Sequence, residues 1–278
     1  MLAARNADDR PPTCWLTDFK PSEVTVMLPD RSFRTILQQG RPLVGTVVTM
    51  PSPAVAEVLS TVGYDWLFVD GEHAPLGLDA ITAILQAAQH RCPCLVRIPA
   101  LQEVWVKRVL DAGADGLIAP LVNSAEAARQ VVAWSKYPPQ GQRSVGGGRA
   151  HGYGRTFDSY LRTANKHVAV VIQIEHVDGA RRIETILEVD GIDAVFIGPY
   201  DLSGSLGIPG QINDPEVQTH IRTVRDACLE RGKPLGIFTA NAEAARPYIA
   251  QGFVLLAVGA DAVHLGDAAE ASLGRVRA

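Results

Sequence analysis

Four times along the chain a helix-forming stretch ends at a glycine, and a short apolar run follows within three residues. The copies read Gly63-Tyr-Asp65-Trp-Leu-Phe-Val-Asp70, Gly113-Ala-Asp115-Gly-Leu-Ile-Ala-Pro120, Gly191-Ile-Asp193-Ala-Val-Phe-Ile-Gly198 and, more loosely, Gly252-Phe-Val-Leu-Leu-Ala-Val-Gly259. Glycine suits the left-handed position that closes a helix. An apolar run with no polar alternation reads as a strand buried on both faces, the mark of a parallel sheet. Each copy is therefore a helix, a tight turn and a parallel strand. Further apolar runs at 44–49, 94–98, 168–174 and 234–239 fall between the copies, so the copies are strands 2, 4, 6 and 8 of eight. Helical periodicity occupies 52–61, 78–89, 103–111, 125–135, 179–187, 216–230 and 242–250. Eight alternating units point to a closed (β/α)8 TIM barrel, which typically takes about 250 residues of the 278 present. A doubly wound open sheet is the structural alternative, but no glycine-rich dinucleotide loop opens the first unit.

The barrel is expected over residues 31–278, with residues 1–30 as a poorly ordered or peripheral extension; a start at Met27 is compatible with the pattern. The extension carries early charges and no continuous apolar segment, so it does not read as a signal peptide. No apolar run approaches the roughly 20 residues that span a bilayer. The net charge of -4 argues against nucleic acid or an anionic membrane as a partner. Cys92-Pro-Cys94 lacks a second Cys/His pair at zinc spacing, and with Cys14 and Cys228 it reads as reduced thiols of a cytoplasmic protein. The long insertion at 137–166 contains Gly146-Gly147-Gly148, and is read as a flexible lid or subunit contact more readily than as a phosphate cradle.

Active sites of this fold lie at the C-terminal ends of the strands. There the chain places Asp70, Gly71, Glu72 and His73 after strand 2, Arg97 at the end of strand 3, Gln173 and Glu175 at the exit of strand 5, and Gly198, Pro199, Tyr200 and Asp201 after strand 6. Each has a plainer reading. Asp70 can cap the next helix, and Glu175 with Asp201 can be salt-bridged to Arg97. The chemical reading is that Glu175 and Asp201, from neighbouring strands, share one hard cation. Arg97 then meets a carboxylate or keto-acid oxygen, and His73, at a strand exit beside carboxylates, handles protons. His90, His167 and His220 read as surface residues; His151 belongs to the insertion, and His176 points away from Glu175. No lysine sits at a strand exit, so no Schiff base is expected.

At these residues the chain resembles the HpcH/HpaI family of class II pyruvate aldolases. The likeness runs from about residue 32 to 273. It rests on Phe68-Val-Asp-Gly-Glu-His-Ala-Pro75, Val96-Arg-Ile-Pro99, Lys136-Tyr-Pro-Pro-Gln-Gly141, Gln173-Ile-Glu175 and Phe196-Ile-Gly-Pro-Tyr-Asp-Leu-Ser203, in order. The resemblance implies a barrel whose eighth helix is exchanged between subunits of a hexamer, a dimer of trimers, and a divalent Mg, Mn or Co ion. It implies that Glu175 and Asp201 are metal ligands and that Gln173 and Arg97 hold the pyruvyl group. His73, supported by Asp70, would move protons. Backbone N–H groups near Tyr200 and Asp201 would bind the carboxylate, and Asp111 would reach a neighbouring subunit's site. The implied reaction is reversible cleavage of a 4-hydroxy-2-oxo acid to pyruvate and an aldehyde through a metal-stabilised enolate. Two departures bear on the aldehyde: Val47 stands where some members carry Trp, and 146–155 is richer in glycine. The alternatives are an acyl-CoA lyase of the citrate lyase β type, which calls for a basic path absent from the rim, and an oxaloacetate-decarboxylating enolate enzyme like macrophomate synthase. A catalytically silent scaffold is a third, and the presence of all four rim groups speaks against it.

Overall fold

The structure, a computed structural model, describes residues 32–88 and 91–277. The expectations for residues 1–30, Cys14, Met27 and His90 fall outside the described residues. Eight parallel strands form a closed barrel in sequence order. They are β1 (Leu43–Val48), β2 (Trp66–Asp70), β3 (Cys94–Arg97), β4 (Gly116–Ala119), β5 (Ala169–Ile174), β6 (Ala194–Ile197), β7 (Leu235–Thr239) and β8 (Leu255–Ala260). The (β/α)8 TIM barrel is therefore what the repeat implied. The turn glycines explain why: Gly63, Gly113, Gly191 and Gly252 all have φ between 91° and 99°, a region that a side chain disfavours.

The helices are α1 (Phe33–Leu37), α2 (Pro53–Leu59), α3 (Leu78–Ala88), α4 (Glu103–Asp111), α5 (Ala125–Ser135), α6 (Phe157–His167), α7 (Val177–Arg181), α8 (Ile183–Leu187), α9 (Pro199–Ser205), α10 (Pro215–Glu230), α11 (Ala242–Ala250) and α12 (Asp261–Arg277). The single helix expected over 179–187 is two, broken at Arg182, whose backbone leaves the helical region. The insertion holds α6, and it joins α5 to β5, which puts it at the N-terminal ends of the strands. There Arg143 donates to Asp111 at 2.6 Å, and Gly148 packs against the Asp111 backbone. The insertion is thus not a lid over this chain's own strand exits. His151, far from sitting in a loose segment, is buried, with its ring nitrogens 2.7–2.9 Å from backbone atoms of Gly146, Gly148 and Gly154.

Two apolar layers hold the barrel. The outer one joins strands to helices. The inner one fills the barrel with Trp66, Phe68, Leu95, Ile118, Val171 and Phe196 among others, and α1 plugs its lower end, with Phe33 6.1 Å from Trp66. Room for three large rings comes from facing glycines. A Cβ on Gly45 would lie 2.5 Å from the Trp66 carbonyl oxygen and 2.7 Å from its indole, and one on Gly236 would lie 2.6 Å from Phe196. Because strand side chains alternate, the residues two steps above this layer also point inward: Asp70 above Phe68, Arg97 above Leu95, Gln173 above Val171. The alternation that packs the core thereby loads the upper mouth with polar groups. Gly45→Ala is expected to lower unfolding stability by about 1–3 kcal/mol through overpacking against Trp66. A urea titration checks this, and an unchanged midpoint would mean that the ring and glycine are not matched as described.

Candidate active site

Asp70 and Arg97 are directly paired across β2 and β3. Arg97 donates through Nε to Asp70 Oδ1 at 2.9 Å and through Nη2 to Oδ2 at 2.7 Å, a two-pronged buried pair. Its remaining nitrogen, Nη1, lies 3.2 Å from Glu72 Oε2. The guanidinium also sits over the Phe68 ring at 5.2 Å. Arg97 therefore arrives at the mouth with one edge already held, and only the Nη1 side turned to the site. The backbone is equally tight: Gly71 N–H donates to the Arg97 carbonyl at 2.9 Å, and a Cβ on Gly71 would lie 2.6 Å from that oxygen.

Asp70 also accepts the backbone N–H groups of Glu72 at 3.0 Å and His73 at 3.2 Å. The support of His73 by Asp70 thus runs through the main chain and shapes the turn. The His73 ring is 64% exposed and lies 3.9 Å from Glu72 Oε2. Burial would raise the Asp70 carboxyl, but the Arg97 bonds and charge, with the two N–H groups, hold it below its ordinary value. The same acidic partners hold Arg97 above its ordinary value against the pull of burial.

Across the mouth, Glu175 is buried and accepts from the Leu121 N–H at 2.7 Å and from Gln173 Nε2. Leu121 makes that bond from a φ of 52°, an uncommon backbone for a branched side chain. Glycine at 198 is required here. A Cβ would lie 2.8 Å from both Gln173 Nε2 and Glu175 Oε2. Asp201 is exposed in the first turn of α9. Burial pushes the Glu175 carboxyl up to about 7; Glu72 and Asp201 add to the rise, and the Leu121 N–H and Arg97 oppose it. Burial also raises Glu72, with Asp70 and Asp201 adding to it against Arg97 and His73.

Beside Glu72 and Glu175 lies a cavity of about 260 Å³ lined by Asp70, His73, Arg97, Gln173, Tyr200 and Asp201 on its polar side. Four carboxylates (Asp70, Glu72, Glu175, Asp201) stand around one guanidinium, itself engaged by Asp70 and Glu72. Gln173 Oε1 is buried without a hydrogen bond, and Glu72 Oε2 has only its ion pair with Arg97. An excess of carboxylates over cations around one cavity, with Gln173 Oε1 left without a partner, fits a hard cation. Among the described residues no three His, Cys, Asp or Glu side chains converge to enclose one, so an ion here would draw further ligands from water or substrate. Of the residues expected at the site, Asp70, His73, Arg97, Gln173, Tyr200 and Asp201 line this one cavity, and Glu175 is bonded to Gln173 beside it. Sequence reasoning passed over Leu121 and gave Glu72 no role, although Glu72 stands inside the Asp-Gly-Glu-His run. Asp111 is elsewhere: it ends α4, at the opposite end of its own barrel.

The HpcH/HpaI aldolase/citrate lyase family model matches residues 45–268, a span that includes every one of these groups. The chain belongs to this family. It is 42% identical over 235 residues to a 4-hydroxy-2-oxovalerate aldolase of Rhodococcus jostii, covering 84% of this chain and 91% of the relative. It is 41% identical over 256 residues to a hydroxypyruvate/pyruvate aldolase of Delftia acidovorans, covering 91% and 95%. A solved structure of an HpcH/HpaI aldolase/citrate lyase family protein from Burkholderia cenocepacia superposes with a TM-score of 0.85 at 37% identity, covering 88% of this chain and 98% of that one.

The raised carboxyls set a pH dependence for the metal-free protein. Glu175 holds its proton more tightly folded (about 7) than at its ordinary 4.5. Its contribution to stability is therefore full below about 4.5 and declines as pH rises to about 7, by at most about 3 kcal/mol. Glu72 acts in the same direction; Asp70, lowered, acts oppositely and only in more acid solution. In EDTA, the unfolding midpoint should fall between pH 5 and 7.5, and Glu175→Gln should flatten the slope. A slope unchanged in Glu175→Gln would contradict this reading of the site.

Proposed function

We propose that this chain is a class II pyruvate aldolase. It cleaves a 4-hydroxy-2-oxo acid to pyruvate and an aldehyde, and runs the addition in reverse, with Mg, Mn or Co. The observation that carries the reading is the excess of carboxylates around Glu175 at the strand exits, opposite an arginine held in place by Asp70. The aldolase names of the two relatives at about 40% identity favour it over an acyl-CoA lyase.

In this reading Glu175 and Asp201 hold the cation, and Glu72 adds negative charge beside it. When bound, the ion supplies Lewis-acid stabilisation of charge on the substrate's keto oxygen. Arg97 turns Nη1 toward that oxygen, where negative charge grows as the bond breaks, so its contact strengthens in the transition state. Gln173 holds the pyruvyl end from the cavity floor. The first-turn N–H groups of Tyr200 and Asp201, which no helical carbonyl can take, receive the carboxylate. His73 accepts the 4-hydroxyl proton. The C3–C4 electron pair stays with C3 as the pyruvate enolate, C4 leaves as the aldehyde, and protonation at C3 completes pyruvate.

The assembly belongs to the same proposal. α12 is almost wholly exposed, with Val263, Leu265, Leu273 and Val276 open to solvent. This supports exchange of that helix between subunits of a hexamer, where Asp111 would reach a neighbour's site. No described helix is long and apolar enough to cross a membrane. Cys92, Cys94 and Cys228 are buried free thiols, which supports a cytoplasmic setting.

Cleavage of 4-hydroxy-2-oxovalerate should stop in EDTA and return with Mg, Mn or Co, and borohydride with pyruvate should leave no covalent adduct. Arg97→Lys should lower kcat for aldol cleavage and for oxaloacetate decarboxylation together, by about a hundredfold, because an ammonium cannot hold both Asp70 oxygens and still present a donor to the keto oxygen. Full activity in EDTA, or loss of only one of the two reactions, would overturn the assignment.

A further inference from the structure

The cavity is divided. Its charged and amide groups all come from the β2, β3, β5 and β6 side. The remaining arc, where β7, β8 and β1 follow one another around the closed barrel, contributes Phe238, Ala260 and Val47. Tyr200 leans over this arc, its ring 6.0 Å from that of Phe238 at 56°. Thr49 also lines it, but its hydroxyl is committed: Oγ1 donates to Asp261 Oδ1 at 2.6 Å. Asp261 is itself buried and satisfied, taking the N–H groups of Thr49, Met50 and Ala262. The basic side chains that line the cavity among the described residues, Arg97 and His73, both stand on the other side.

Resting on the aldolase reading, we propose that this arc is the acceptor wall, and that it selects a neutral aldehyde with an apolar tail over one ending in a carboxylate. An alkyl tail laid against Phe238, Tyr200, Val47 and Ala260 leaves water for apolar contact. A carboxylate in the same place loses its hydration and meets no cationic partner, only the Tyr200 phenol, the costlier outcome. It would also lie in the field of the acidic cluster.

The test uses the full chain with Mn²⁺ and two aldehydes matched in carbon count, butanal and succinic semialdehyde, each added to pyruvate. First, deuterium exchange into the pyruvate methyl group reports enolate formation without any aldehyde. If exchange is absent, the aldolase reading fails and takes this inference with it. If exchange occurs, kcat/KM for butanal should exceed that for succinic semialdehyde by at least about tenfold. Equal values, or a preference for the acid, would overturn the inference and leave the aldolase reading standing. Phe238→Arg should move the ratio toward the acid by a further tenfold or more. Tyr200→Lys, at a half-open position that tolerates exchange, should do so in the same direction. A ratio unmoved in whichever variant folds would show that the tail does not lie on this wall.

Discussion

The pairing of Asp70 with Arg97 across two neighbouring strands governs the upper half of this barrel. An arginine buried in a barrel mouth needs a partner, and breaking such a pair by removing one side typically costs about 3–5 kcal/mol. Both bonds are short and both residues are buried. The pair therefore behaves as part of the frame, and it decides which guanidinium nitrogen faces the site. It also shapes the turn after β2, since Asp70 ties down the N–H groups that place Glu72 and His73. With Arg97 engaged by Asp70 and Glu72, Glu175 and Asp201 remain short of positive charge. That deficit is what supports the proposal of a cation here.

The frame stands on the apolar layer beneath it. Trp66, Phe68 and Phe196 fill the barrel, each 5.7–6.3 Å from its ring neighbours. Glycines on facing strands leave space for them. The same two-residue alternation that turns these rings inward turns Asp70, Arg97 and Gln173 inward one step higher. Core and site are consecutive layers of one pattern, so a register slip in any of β2, β3 or β5 would lose both.

Much of this was legible in the amino-acid order because it is local. A glycine after a helix, an Asp two residues on and an unbroken apolar run mark an αβ turn and a buried strand wherever they occur, and strand exits then locate the site residues. What was not legible depends on partners distant in sequence. The partner of Arg97 could be any rim carboxylate until the β2–β3 register sets Asp70 opposite it. Leu121 enters the site through a backbone N–H, which its side-chain identity does not advertise. Residues 137–166 looked like a lid because they are long and glycine-rich, but a loop joining a helix to the next strand lies at the wrong end to cover its own strand exits. Periodicity did not mark α12, which only the family resemblance implied, for a different reason: among its described residues only Asp261 is buried, so it carries little of the periodic apolar face that marks the other helices.

The most direct measurement is a crystal structure with Mn²⁺ and pyruvate, with the ion located by its anomalous scattering. The ion should lie between Glu175 and Asp201, and Arg97 should keep both bonds to Asp70 while Nη1 contacts the keto oxygen. An ion bound elsewhere, or an Arg97 that leaves Asp70 to reach the ligand, would contradict the central claim that a prepaired arginine and an uncompensated acidic cluster together make this site.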